Sequence, residues 1–124
     1  MRYVALAVLV LVGCDITEPS GAYPIDPPSI YRTWYDLTAA CVGSDPGFDR
    51  IRWYVVPGDG WTATEDRPAH GEFVPPASIY ISEHRTEDEL LVRHELVHYA
   101  ITPTRGHPEP PFGVCDRDTH GFTA

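Results

Sequence analysis

The spacing of apolar residues along the chain sets out its elements. Val4 to Val12 is an unbroken apolar run with no period, and Pro19, Pro24, Pro27 and Pro28 punctuate the acidic stretch behind it. From Ser29 the period becomes helical. Ile30, Trp34, Leu37 and Cys41 recur at i, i+4, i+7 and i+11, which predicts a helix capped by Ser29 at its start and Gly43 at its end. The aromatics Tyr31, Trp34 and Tyr35 read as packing residues. Asp45-Pro46-Gly47 marks a turn, and Ile51 to Val56 alternates with β-branched and aromatic residues as a strand stopped by Pro57-Gly58. A long polar connection over 58–71 leaves room for a short strand near Trp61 to Thr64. Two further strands follow, His70 to Val74 and Ser78 to Ser82. The last regular element is a helix from Thr86 to about Thr102. Thr86 and Glu89 give a capping-box pattern, Glu87 and Asp88 favour the positive end of the dipole, and Leu90, Val97 and Ile101 supply an apolar face. Pro103 ends it. The fold class expected is α+β: an N-terminal helix, a short mixed sheet, a second helix and an irregular C-terminal segment.

The second helix carries the chemistry. Residues 94–98 read His-Glu-Leu-Val-His. Positions four apart stack on one helix face, so His94 and His98 can offer ring nitrogens to a single ion. Glu95 lies about 100° round the helix and flanks that ion, placed to hold a water for attack. Catalytic zinc sites usually carry three protein ligands. His107 is the best third: Pro103 breaks the helix, Gly106 gives a flexible joint, and five residues of returning chain span up to ~16 Å. Glu109, and more remotely Asp118 and His120, compete with it. His70 reads as a solvated loop histidine.

At these residues the chain resembles the zincin metallopeptidases, the superfamily built around H-E-x-x-H on a helix; the Gly106-His107-Pro108 and Phe112-x-x-Cys115 that follow are similar to small bacterial lipoprotein peptidases. The resemblance implies Zn2+ as cofactor, His94 and His98 as its ligands, Glu95 as general base, and a peptide or protein substrate. It also implies that the strand before the metal helix, residues 78–82, rims the cleft and pairs with an extended peptide, against the plain alternative of an interior strand. The metzincin pattern is not met: Ile101 and Thr104 stand where its glycine and third histidine would be, and the only methionine is Met1.

Composition narrows the setting. The formal charge is −9 with no lysine and nine scattered arginines, so no nucleic-acid partner is expected. Val4 to Val12 is too short to span a bilayer. With Arg2 before it and Leu11-Val12-Gly13-Cys14 behind it, the N-terminus resembles a lipoprotein signal with Cys14 as lipidation site. The expected organisation is therefore a signal peptide over 1–13, a tether over 14–28 and a monomeric zincin-like metallopeptidase domain over 29–124, anchored by lipid to a bacterial membrane and facing the periplasm or exterior. Removing Cys14 leaves Cys41 and Cys115, in an oxidising compartment, as a disulfide, with Cys115 as a zinc ligand the competing assignment. The function expected is a membrane-anchored zinc-dependent peptidase. The alternatives are a non-catalytic zinc-binding or structural lipoprotein, or an anchored interaction module.

Overall fold

A computed structural model describes residues 19–63 and 67–117. Cys14, Asp118 and His120 lie outside the described residues. In chain order the elements are β1 (Tyr23–Ile25), α1 (Ser29–Val42), β2 (Arg52–Val56), β3 (Trp61–Thr62), β4 (Pro68–Ala69), β5 (Gly71–Val74), β6 (Ser78–Ser82) and α2 (Glu89–Ala100), with 3-10 turns at Phe48–Arg50 and Glu83–Arg85. The class is α+β. A four-stranded mixed sheet runs in the order β1-β2-β6-β5, and β3 and β4 form a separate two-stranded sheet.

The centre of the sheet is the parallel pair β2–β6, in register from Arg52↔Ser78 to Val56↔Ser82. β5 adds antiparallel outside β6, and β1 antiparallel outside β2. Residues 78–82 are thus an interior strand, and the expectation that they rim a cleft is corrected: the edge strand on that side is β5. Part of the expected tether takes regular structure. Tyr23–Ile25 pairs with β2 as an edge strand, where Pro24, lacking an N–H, is tolerated.

Both helices pack on one face of this sheet. Tyr31, Trp34, Tyr35 and Ala39 of α1 meet Val92, Leu96 and Tyr99 of α2 over Ile51, Trp53, Ile79 and Ile81. The inward face of α1 therefore departs from the stripe expected from its aliphatics. Ile30 and Leu37 are exposed, and the tyrosines go in. A buried tyrosine needs a partner for its hydroxyl, and each finds one: Tyr31 donates to Thr86 O at 2.6 Å, Tyr35 to Asp45 Oδ1, and Tyr99 to Gly47 O at 2.7 Å. Aromatic bulk, once satisfied at its polar tip, outweighs the aliphatic side chains at neighbouring positions.

Two boundaries differ from expectation. α1 starts at Ser29 itself, with Pro28 as N-cap and no side-chain cap, while Gly43 closes it in the left-handed region at φ 80° as expected. α2 starts at Glu89, not Thr86. Asp88 is its N-cap and accepts from Leu91 N–H at 3.1 Å, so the Thr86–Glu89 capping box is not formed, and Leu90 is exposed. A second apolar cluster of Val97, Phe112 and Cys115, flanked by Val42 and Ile101, binds the C-terminal segment to the helices. Cys41 and Cys115 form the expected disulfide there, which removes Cys115 from any ligand set. No helix among the described residues is long and apolar enough to cross a membrane.

Candidate metal centre

α2 presents its two faces to different tasks. Val92, Leu96 and Tyr99 go to the core, while His94 and His98, one turn apart, lie on the side left open toward β5 and the C-terminal segment. Pro103 directs the chain away from the helix, and the loop returns through Gly106, at φ 77°, to deliver His107. The three rings converge. His107 Nε2 is 3.2 Å from His94 Nε2 and 3.2 Å from His98 Nε2. Two nitrogens bound tetrahedrally to one zinc ion, each at ~2.05 Å, would stand ~3.3 Å apart. Among the described residues His94, His98 and His107 are the set able to hold a metal ion.

The physics of that convergence favours a cation. His107 Nε2 stands at the same short distance from both other Nε2 atoms, and a cation at that place would be met by all three lone pairs at once. Burial, followed by the neighbouring His94 and His107, lowers the His98 pKa to about 4, and burial and His94 likewise lower that of His107. Both rings are thus held in the neutral, ligating form at neutral pH. Phe112, itself buried, lies beneath all three rings, with centroid distances of 4.9, 4.6 and 4.8 Å to His94, His98 and His107.

Glu95 stands beside this set but turns toward β5. It is only 5% exposed, and burial, then the charge of Glu72, raises its pKa to about 8, with an opposing hydrogen bond from the Phe73 backbone. The ladder explains that hydrogen bond. Ser82 N–H donates to His70 O, so the alternation of an antiparallel pair turns the backbone groups of Gly71 and Phe73 outward, to the open edge where Glu95 sits. Gly71 makes the room. A Cβ there would fall 3.2 Å from Glu95 Oε1 and 2.9 Å from Leu91 Cδ1. A cleft of about 290 Å³ joins these parts, lined in part by Arg67, Glu72, Phe73, Glu95 and the three histidines. Two larger hollows of about 440 Å³ lie elsewhere, one against Trp53 and Tyr54 and one against Tyr99, and neither gathers a metal-ligating set.

The remaining expected participants are elsewhere. Glu109 lies beside Gly113 and outside the ligand set. His70 Nδ1 is 3.6 Å from Asp59. Near the motif in sequence, Tyr99 is committed to Gly47 and Tyr80 stacks on Tyr54 at 4.7 Å. Arg93 is buried on the far side of α2, bonded to Thr38, Glu89, Cys115 and Arg117. Sequence reasoning missed Glu72, Gly71, Phe112 and Asp116, whose Oδ2 lies 3.2 Å from His94 Nδ1. Proximity to the motif in space marks them; Phe112 stood in the Phe112-x-x-Cys115 pattern with no role assigned to it, and the other three carry no local signal. No family model, curated protein or solved structure matches the chain.

Proposed function

We propose that this chain is a zinc-dependent hydrolase of peptide bonds, of the zincin type, and that it is lipid-anchored at Cys14. One observation carries the reading: His107 Nε2 lies at the spacing of a shared ion from both His94 Nε2 and His98 Nε2, while a buried glutamate lies alongside, next to the last strand of the sheet. His94, His98 and His107 would hold the ion. Bound zinc supplies an acidified water and a polarised carbonyl.

The protein's own groups do the rest. The Glu95 carboxylate takes the proton of the attacking water and returns it to the departing amine. A pKa near 8 without metal means that Glu95 carries a proton at neutral pH; a dication in the cleft pulls it back toward the ionised form a base requires. β5 is the last strand of the sheet beside the metal, and an extended polypeptide adding there as a further strand would take over the Phe73 backbone contact now made by Glu95. That argues for a peptide substrate over a compact small molecule.

A non-catalytic zinc-binding lipoprotein is the second reading; the cleft of about 290 Å³ stands at the lower end of the range of ligand pockets, about 300 Å³ and up. The two separate by experiment. The peptidase reading predicts stoichiometric zinc and hydrolysis of a denatured-protein or peptide library that Glu95→Ala abolishes while zinc stays bound. Zinc without any Glu95-dependent cleavage sinks the peptidase and leaves the metal protein. Incorporation of labelled fatty acid, lost in Cys14→Ala, tests the anchor.

A further inference from the structure

We propose that Asp116 is the positioning residue of the metal centre. It fixes the tautomer and ring angle of His94 and is itself held by a clamp built from Arg93 and the disulfide. This rests on the reading of His94, His98 and His107 as ligands.

The geometry is specific. Asp116 Oδ2 lies 3.2 Å from His94 Nδ1, the ring nitrogen remote from the converging Nε2 atoms. Asp116 Oδ1 accepts from Gly113 N–H at 2.7 Å, which orients the carboxylate. A carboxylate can only accept, so it selects the tautomer with hydrogen on Nδ1 and leaves the Nε2 lone pair free for an ion. In metal sites, an acceptor on the second ring nitrogen both fixes the ligand's direction and makes it a stronger donor.

The neighbours of Asp116 are tied down on both sides. Arg93, adjacent to His94 in sequence but pointing into the protein, donates Nη2–H to Cys115 O at 2.7 Å and Nη1–H to Arg117 O at 2.5 Å. Its guanidinium thus brackets residue 116. The same side chain donates to Thr38 Oγ1 at 3.0 Å and lies 3.3 Å from Glu89 Oε2, with Arg93 and Glu89 both buried. Cys115 is bonded to Cys41 at the end of α1. A buried arginine spanning two helices and two carbonyls is a costly arrangement for the sole purpose of covering one side of a helix. It makes physical sense as the support that keeps a short irregular segment at hydrogen-bond distance from a ligand.

The sharp variant is Asp116→Asn in the disulfide-bonded protein. The amide oxygen can keep the Gly113 contact, but an NH2 group then faces His94 Nδ1. Donor meets donor unless the ring moves its proton to Nε2, where it blocks coordination. Zinc affinity, measured by competition with a chromogenic chelator, is expected to fall about 10- to 100-fold, with the melting temperature of the metal-free protein little changed. Asp116→Glu, which keeps an anionic acceptor, should recover part of the loss. Imidazole nitrogen and proton NMR of the zinc-loaded wild type should show His94 as the Nδ1–H tautomer, a readout that a purely structural Asp116 would not require and that decides the matter if Asp116→Asn does not fold. Undiminished zinc affinity in Asp116→Asn, or an Nε2–H tautomer for His94 in the wild type, overturns the inference and spares the three-histidine centre. Failure of the wild type to bind zinc overturns both.

Discussion

Replacing Glu95 with Gln removes the titrating proton from the least hydrated carboxyl of the site and keeps its shape. In the metal-free protein the Glu95 carboxyl is pushed from its ordinary 4.5 to about 8, first by burial and then by Glu72. Below pH 4.5 the group is neutral in folded and unfolded chains alike, and the raised pKa works fully in favour of folding. As pH climbs from 4.5 to 8 the unfolded chain releases this proton and the folded one retains it, so stability falls; above about 8 the loss is complete. A displacement of this size corresponds to an upper bound of about 5 kcal/mol, and relaxation around the carboxylate brings the expected loss to roughly 2–4 kcal/mol. Gln does not titrate. Urea unfolding of the chelator-treated wild type and Glu95→Gln between pH 5 and 9 should show curves that separate progressively, the variant becoming the more stable. Saturating zinc should shrink the separation, because a nearby dication stabilises the carboxylate. Parallel pH profiles for the two metal-free proteins would refute the reasoning, since they would mean that water reaches Glu95 freely.

The other perturbations act on separate supports. Gly71→Ala places a methyl 3.2 Å from Glu95 Oε1 and 2.9 Å from Leu91 Cδ1; it should cost about 1–3 kcal/mol by crowding and depress peptide hydrolysis while zinc titration stays near wild type. Equal loss of zinc and activity would point to damage beyond Glu95. His107→Ala leaves two imidazoles. With about 3 kcal/mol per ligand in typical zinc sites, zinc affinity should drop by about two decades, and an unchanged chelator competition would dismiss His107 as a ligand. Opening the Cys41–Cys115 bridge by the double serine substitution releases a separation of 74 residues. It should lower unfolding free energy by at most about 4 kcal/mol and weaken zinc binding with it, because residues 107 to 117 lose their anchor. Unchanged denaturant midpoints would show that the Arg93 contacts suffice.

What the sequence made legible follows from the range of the forces involved. His94, Glu95 and His98 stand on one helix, where spacing alone dictates their relation, and the return to His107 is so short that residue type and reach were enough. The two-cysteine arithmetic worked because few pairings exist. On α1 the aromatics Tyr31, Trp34 and Tyr35 pack inward as expected, while Ile30 and Leu37 of the expected stripe are exposed; the tyrosines take that face because Thr86 and Asp45 meet their hydroxyls, contacts that span 55 and 10 residues. The start of α2 moved because Asp88, not Thr86, serves as N-cap and takes the free Leu91 N–H, a competition between two acceptable caps that local propensity does not resolve. Strand order was beyond reach for a related reason. Ser78 to Ser82 and Gly71 to Val74 both read as short strands, and only the parallel pairing of β6 with β2 decides which is interior and which borders the cleft. Glu72 and Asp116 come to the centre through that topology and through the clamp on Cys115, neither of which leaves a local pattern.

The central claim is that His94, His98 and His107 grip one divalent cation and leave a coordination position for chemistry. X-ray absorption at the zinc edge on the zinc-loaded protein tests it most directly, with metal content measured on the same sample. One zinc per chain, with three imidazole nitrogens at ~2.0–2.1 Å and one further light oxygen ligand, is the predicted result. Zinc below stoichiometry, or a fourth ligand supplied by the protein itself, would contradict it.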